Sequence, residues 1–372
     1  MNFKISKKSF LDSLTLVFRA VSSNTPLPSL GGIKIEVEEN KITLIASDSN
    51  ISIKSVIEGN NEEALIINET GEIVIDGKYL MDIVRKIDGN LVSFETIDGL
   101  LVKFSGEKSQ FKINGMNAAE YPVISFEIND NKPFEIDSKT FMEIIDQTAF
   151  ACSDKETRPV LTGVNLKVEN GVLHANATDS YRLAYKKVKV DSDIGINITV
   201  PAKYLNEIYH SIGNNSELKI AIDNQKISFI IGNSVIQTRL LDDVFPDTSR
   251  LVPATFSSKL LVSSKEISNA IDRTSFIKSD GKNTVRMNIS NEAVEITSSN
   301  QIGSSFEKIP VVSYEGNPLE ISCSGKYLQD AIRSLSCETV EFDFSGELKP
   351  MILKSTDDES LIQLISPVRT YR

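Results

Sequence analysis

A segment that recurs three times at nearly equal spacing limits this chain to three copies of one supersecondary design, each of which must bury its own apolar face. Gly77-Lys78-Tyr79-Leu80-Met81-Asp82-Ile83 returns as Ala202-Lys203-Tyr204-Leu205-Asn206-Glu207-Ile208, and again as Gly325-Lys326-Tyr327-Leu328-Gln329-Asp330-Ala331-Ile332. The three lysines stand 125 and 123 positions apart. A second set keeps the same register: Lys8-Ser9-Phe10-Leu11-Asp12, Lys139-Thr140-Phe141-Met142-Glu143 and Lys265-Glu266-Ile267-Ser268-Asn269. A third pairs Glu120-Tyr121-Pro122 with Val244-Phe245-Pro246. The 372 residues therefore divide into three tandem domains, 1–128, 129–253 and 254–372. Polar, proline-containing stretches at residues 129–133 and 253–257 read as the linkers.

Within each copy the pattern alternates between two periods. Residues 33–46, 164–177 and 285–298 read as β-hairpins, turning at Glu39-Asn40, at Asn170-Gly171 and near Asn291, because apolar residues such as Ile33, Ile35 and Val37 fall on one face. The lysine-led segments read as amphipathic helices. In the first, Phe10, Leu11, Leu14, Val17 and Phe18 form a stripe opposite Lys8, Asp12, Thr15 and Arg19. In the fourth, Leu205, Ile208, Tyr209 and Ile212 oppose Lys203, Asn206, Glu207 and His210. Each domain is itself doubled, so the expected class is α+β, with two helices per domain packed on antiparallel sheets. A lysine opens every helix: Lys8, Lys78, Lys139, Lys203, Lys265 and Lys326. That position is electrostatically unfavourable by about 0.3–1 kcal/mol, since a helix N-terminus already carries partial positive charge. Two explanations stand side by side: inheritance from a duplicated ancestor, or six contacts to a repeating anion. Asp12, Asp82, Glu143, Glu207 and Asp330 on the same faces would keep such a grip loose.

Acidic residues outnumber basic ones 51 to 40, for a formal charge of −11. A protein that holds nucleic acid by bulk attraction would be basic. Cys152, Cys323 and Cys337 have no CxxC spacing, so neither a disulfide framework nor a zinc site is expected. Met1-Asn2-Phe3-Lys4 opens without the apolar run of a secretory signal, and no stretch approaches the length of a membrane span, so a cytoplasmic protein with no membrane partner is expected. His174 and His210 lack any metal-ligand pattern, and His174 reads as the polar face of a strand. Asp242-Asp243 and Asp357-Asp358-Glu359 read as solvated loops. No phosphate-binding glycine loop, nucleophile elbow or zinc-protease helix occurs, so neither an enzyme nor a cofactor is expected.

Four stretches carry a family resemblance: residues 149–164 (AFACSDKETRPVLTGV), residues 177–184 (ATDSYRLA), Phe245-Pro246-Asp247 and Ser366-Pro367-Val368-Arg369. In combination they resemble the bacterial DNA polymerase III beta subunit, over the whole chain and including its triplication. The resemblance implies a homodimer of three-domain subunits closed head to tail around double-stranded DNA, retained there by topology rather than by net charge. It further implies a non-catalytic processivity factor, associated with the nucleoid, whose partners are the DNA polymerase III alpha subunit, the clamp loader, other polymerases, and mismatch-repair or ligase proteins.

The resemblance also places sites. A partner-peptide pocket would comprise Leu161, Thr178, Ser180, Tyr181, Arg182 and Leu183; Pro246, Arg250 and Leu251; and Ser324, Tyr327, Leu348, Pro350, Leu364, Ile365, Ser366, Pro367, Val368 and Arg369. Core packing explains most of the aliphatic positions equally well, whereas the C-terminal tail favours binding. The DNA-facing set would be the six lysines with Asn24, Lys155 and Arg158. Phe111 and Ile113 of one copy would meet Phe276 and Ile277 of the other. The chain departs from the family at Ser180-Tyr181, where Gly-His is common, and at Ser324, where Asn is expected. Asn24 stands in place of a DNA-touching arginine, and Pro159 and Val160 in place of tyrosines. The tail runs on through Thr370-Tyr371-Arg372.

Overall fold

The computed structural model describes residues 1–22, 25, 27–59, 64–127, 134–191, 195–212, 217–223, 225–279 and 281–369. Asn24, the expected linker at 129–133 and the tail residues 370–372 lie outside the described residues. Among the described residues six α-helices recur: α1 (Lys7–Val17), α2 (Gly77–Lys86), α3 (Ser138–Thr148), α4 (Ala202–Ile212), α5 (Ser264–Thr274) and α6 (Gly325–Leu335). Each starts on the residue immediately after a strand. At α1, α2, α5 and α6 the junction residue, Ser6, Asp76, Ser263 or Ser324, doubles as the N-cap. Its side chain accepts the N–H three residues on, as Asp76 does from Tyr79 at 3.0 Å, so an extended strand passes into a helix with no intervening loop.

The chain forms two compact units, one of residues 1–138 and 207–240, the other of residues 139–206 and 241–372. The first holds an eight-stranded antiparallel sheet in the order Phe134–Asp137, Glu217–Ile222, Lys226–Ile231, Ser234–Arg239, Ile51–Glu58, Lys41–Ser47, Gly32–Val37, Gly71–Asp76. Strands of the first and second sequence repeats are thus joined edge to edge: Ile236 pairs with Ile53, and the Ser234 and Ser55 hydroxyls bond at 3.1 Å. A five-stranded sheet, Leu65–Glu69, Asn2–Ser6, Leu91–Asp98, Leu101–Ser105, Gln110–Asn114, completes this unit. Its core includes Phe3 stacked on Phe94 at 4.6 Å between ring centres, with Phe104 and Phe10 edge-on. The ammonium of Lys7 donates to the carbonyls of Arg85 and Ile87 and so satisfies the C-terminal end of α2.

The second unit holds a nine-stranded antiparallel sheet, Ile196–Pro201, Gly163–Glu169, Val172–Thr178, Arg182–Lys189, Leu361–Ile365, Met351–Ser355, Thr339–Phe344, Ser258–Ser263, Ser313–Glu315. Here the second and third repeats join, Arg182 pairing with Ile365 and Lys186 with Leu361. A four-stranded sheet, Ser304–Pro310, Ala293–Ser299, Thr284–Ile289, Leu319–Ser324, encloses a core with α5 and α6 that includes Leu260, Ile267, Ile271, Met287, Leu328, Ile332, Phe342 and Phe344. The three expected hairpins are all present. At the second, Asn170 and Gly171 both take positive φ, 53° and 72°, the conformation that a two-residue hairpin turn demands. The helix stripes divide as expected: Phe10, Leu14 and Val17 are buried while Lys8, Asp12 and Thr15 are exposed, and Leu205, Ile208 and Ile212 are buried against exposed Lys203, Asn206 and His210.

Candidate partner-binding site and basic positions

The joint between the second and third repeats is built around one arginine. Asp179 and Ser180 turn the chain between two strands, Ser180 adopting φ 78°, and the Asp179 carboxylate accepts the N–H groups of Tyr181 and Arg182 at 2.9 and 3.0 Å. That turn aims Tyr181 outward, 64% exposed, and Arg182 inward, 7% exposed. The guanidinium bonds Asp179 at 3.1 Å, Asp330 of α6 at 2.7 Å and the Phe150 carbonyl. It lies over the Tyr327 ring at 4.4 Å and the Phe150 ring at 5.4 Å. Burial, with the Asp179 charge next, pushes the Tyr327 phenol up to about 12, so it stays a hydrogen-bond donor at neutral pH.

The rest of the expected pocket separates into packed and exposed positions. Leu183 and Leu364 pack with Ile352, and Val252 lies against them. Leu161 and Ile365 are also buried, and Thr178 uses its hydroxyl on the Arg182 carbonyl at 2.6 Å. Ser324 caps α6. Tyr181, Leu251, Leu348 and Val368 are large apolar side chains left at the surface, with Pro246, Pro350 and Pro367 half-buried and Ser180, Arg250 and Arg369 exposed. The tail is fastened by its backbone: Ser366 N–H donates to the Tyr181 carbonyl at 2.8 Å and Val368 N–H to that of Ser322 at 2.7 Å. A partner chain would therefore find anchored backbone and free apolar side chains together, the combination a short apolar peptide needs. A shallow depression elsewhere, lined by Glu36, Glu38, Glu39 and Glu72, offers carboxylates rather than apolar anchors.

Lys8, Lys78, Lys139, Lys203, Lys265 and Lys326 each occupy the second position of their helix, and each is exposed. Lys155 and Arg158 are exposed, while Pro159 and Val160 open a short 3-10 turn. Three of the carboxylates expected to temper the lysines have other partners: Glu207 bonds Arg19 at 3.2 Å, Asp330 is taken by Arg182, and Asp82 lies 3.8 Å from Lys86. Phe111 and Ile113 point to one side of Gln110–Asn114, a strand at the edge of its sheet. Phe276 is 75% exposed, but Ile277 is 4% exposed and already packed within its own unit.

Asp330 and Phe150 as partners of Arg182 escaped sequence inspection, because both lie far from it in the chain. Asp179, at i−3 to Arg182 in the Thr178-Asp179-Ser180 turn, carried a readable signal. His174 shares a 2.7 Å hydrogen bond with the Tyr185 hydroxyl, and Asp358, in a stretch read as solvated loop, pairs with buried Lys186 at 3.0 Å. Burial pushes the Cys152 thiol up to about 12. Among the described residues no three His, Cys, Asp or Glu side chains gather as a metal site, and no helix is long and apolar enough to cross a membrane.

Residues 1–125, 135–247 and 249–369 match, in order, the N-terminal, central and C-terminal domains of the DNA polymerase III beta subunit. Over the full length of both proteins the chain is 37% identical to the beta sliding clamp of Bacillus subtilis and 36% identical to that of Staphylococcus epidermidis. Its backbone matches the crystal structure of the B. subtilis DNA polymerase sliding clamp with a TM-score of 0.95 at 36% identity, covering all of both chains. It matches the DNA polymerase III beta chain of Streptococcus pneumoniae with a TM-score of 0.95 at 31% identity, covering 99% of this chain and 100% of that one. On these matches, spread over all three repeats, the chain belongs to the DNA polymerase III beta subunit family, the DNA sliding clamps, which serve replication as processivity subunits rather than catalysts.

Proposed function

We propose that two copies close head to tail into a ring around duplex DNA, with 1–128, 129–253 and 254–372 as the three domains of each. Two free sheet edges support this closure: Gln110–Asn114 in the first repeat and Ser304–Pro310 in the third. An exposed edge offers unpaired N–H and C=O groups, and one edge meeting a different one on a second copy is a heterologous contact, which closes only at the right angle. Phe111 and Ile113 on one side and Phe276 on the other supply the apolar contact, with Ile277 packed behind Phe276.

Lys8, Lys78, Lys139, Lys203, Lys265 and Lys326, with Lys155 and Arg158, face the DNA. The single observation that carries this reading is that all six lysines occupy the same helical position and are exposed. With −11 net charge, open-solution affinity for duplex DNA is weak and strongly salt-dependent, and retention comes from encirclement. Protein loaded on nicked circular DNA should outlast salt that abolishes equilibrium binding, and should leave once the circle is cut. Equal loss from circular and linear DNA would overturn the ring.

The site between the second and third repeats takes a short peptide through Tyr181, Leu251, Leu348 and Val368, with Arg182 and Tyr327 as the fixed wall. Each buried Leu or Phe of the peptide contributes about 1.5–3 kcal/mol, so two or three anchors, after ordering costs, give roughly micromolar affinity. The partners so tethered are the DNA polymerase III alpha subunit, the clamp loader, other polymerases, and mismatch-repair or ligase proteins, in the cytoplasm at the nucleoid.

A further inference from the structure

The turn that bears Phe276 is held from behind by one half-buried amide. Helix α5 ends at Thr274, and a helix end leaves carbonyls without intrahelical partners. Asn283, at the start of the neighbouring strand, donates its side-chain amide to the Thr274 carbonyl at 2.9 Å and to the Ile277 carbonyl at 2.8 Å, with Ser298 Oγ at 3.3 Å. These two carbonyls bracket Ser275 and Phe276. The backbone of Asn283 is itself fixed, its carbonyl accepting Gly325 N–H at 3.0 Å. A second asparagine, Asn300, holds the Lys278 carbonyl at 2.9 Å. Within the same turn Ile277 is 4% exposed and Phe276 is 75% exposed, so the amide fixes one side chain inward and the next outward.

We propose that Asn283 is a positioning residue for self-association: it touches no partner, but it holds the turn that presents Phe276 to a second copy. This rests on the reading of Phe276 as a contact between copies. A large aromatic left in water contributes most to an interface when it needs no reordering on contact, because ordering costs are subtracted from the affinity. Two donations from one amide to the flanking carbonyls supply that order in the free subunit.

A double-mutant cycle on the full chain, read as the dimer dissociation constant from sedimentation or mass photometry, separates the two ideas. Phe276→Ala alone should weaken the dimer at least tenfold; an unchanged constant would remove Phe276 from the interface, whatever Asn283 does. Asn283→Ala should also weaken it at least tenfold, and the double variant should be no weaker than Phe276→Ala. Penalties that multiply in the double variant would mean that Asn283 serves folding in general, and an unaltered dimer in Asn283→Ala would overturn the proposal outright. Asn283→Asp, which keeps the shape and removes both donors, carries the same test should the alanine variant not fold, and it should show the same dependence on Phe276.

Discussion

Replacing Arg182 with alanine is the most direct test of how the partner site is assembled. The guanidinium is 7% exposed and bonds two carboxylates, of which Asp179 is 10% and Asp330 23% exposed. Removing one member of a buried ion pair strands the other and costs about 3–5 kcal/mol. Asp179 retains its two backbone donors and Asp330 has some access to water, which places the loss near the lower end, about 3 kcal/mol. Loss of the stacking on Tyr327 and Phe150 adds a smaller amount, about 0.5–1 kcal/mol. The effect is local, so the assay is hydrogen exchange read by mass spectrometry over Arg182–Lys189 and α6. A combined local loss of about 3.5–4 kcal/mol corresponds to exchange roughly several hundredfold faster in both segments. Asp330→Asn should give a smaller change in the same two segments. Exchange within threefold of the unaltered chain in both would show that Arg182 does not hold these elements together.

Three further outcomes are expected. Truncation after Ser366 removes Pro367, Val368 and the bond to Ser322, so calorimetric titration with a clamp-binding peptide should lose its signal while light scattering still reports a dimer; undiminished binding would place the site elsewhere. Combining Lys78→Ala, Lys203→Ala and Lys326→Ala should slow loading by the clamp loader but leave retention on circular DNA nearly unchanged, and fast loss from the circle would mean that charge, not topology, retains the ring. Burial, with Lys167 next, holds His174 below its ordinary value of 6.5; the folded state therefore binds the proton less readily than the unfolded chain, and stability falls as pH drops below about 6.5 toward the folded value. His174→Gln should flatten that part of the melting-temperature profile, and an unchanged slope would refute the assignment.

Much of this fold is legible in the sequence because the relevant signals are local. Hairpin alternation, the Asn170-Gly171 turn and the stripe through Phe10, Leu14 and Val17 depend on neighbours within a few positions. The triplication is legible because Lys78, Lys203 and Lys326 keep their register over the whole length. Which edge meets which is not local. Nothing near Ile53 marks it as the partner of Ile236, and nothing near Arg182 marks Ile365 or Asp330, since strand edges choose partners by tertiary fit. The same limit explains Ile277, which by pattern is the equal of Phe276. Only the fold of the turn sends one inward and the other out.

The ladder from Arg182–Ile365 to Lys186–Leu361 bears on what a cut in the chain would do. The second and third repeats are connected covalently through the partly exposed stretch at 247–257, but they are also held by a shared sheet and by the Arg182–Asp330 ion pair. Peptide-bond continuity is therefore redundant at this joint. A protease nick in the connector would leave two polypeptides migrating as one particle under native conditions, separating only in denaturant. Among the described residues the outer edge of Ser304–Pro310 has no ladder partner, although Arg273 ties that strand to α5 through Glu307 at 2.6 Å. The seam between these two repeats is therefore held by more than the chain that connects them.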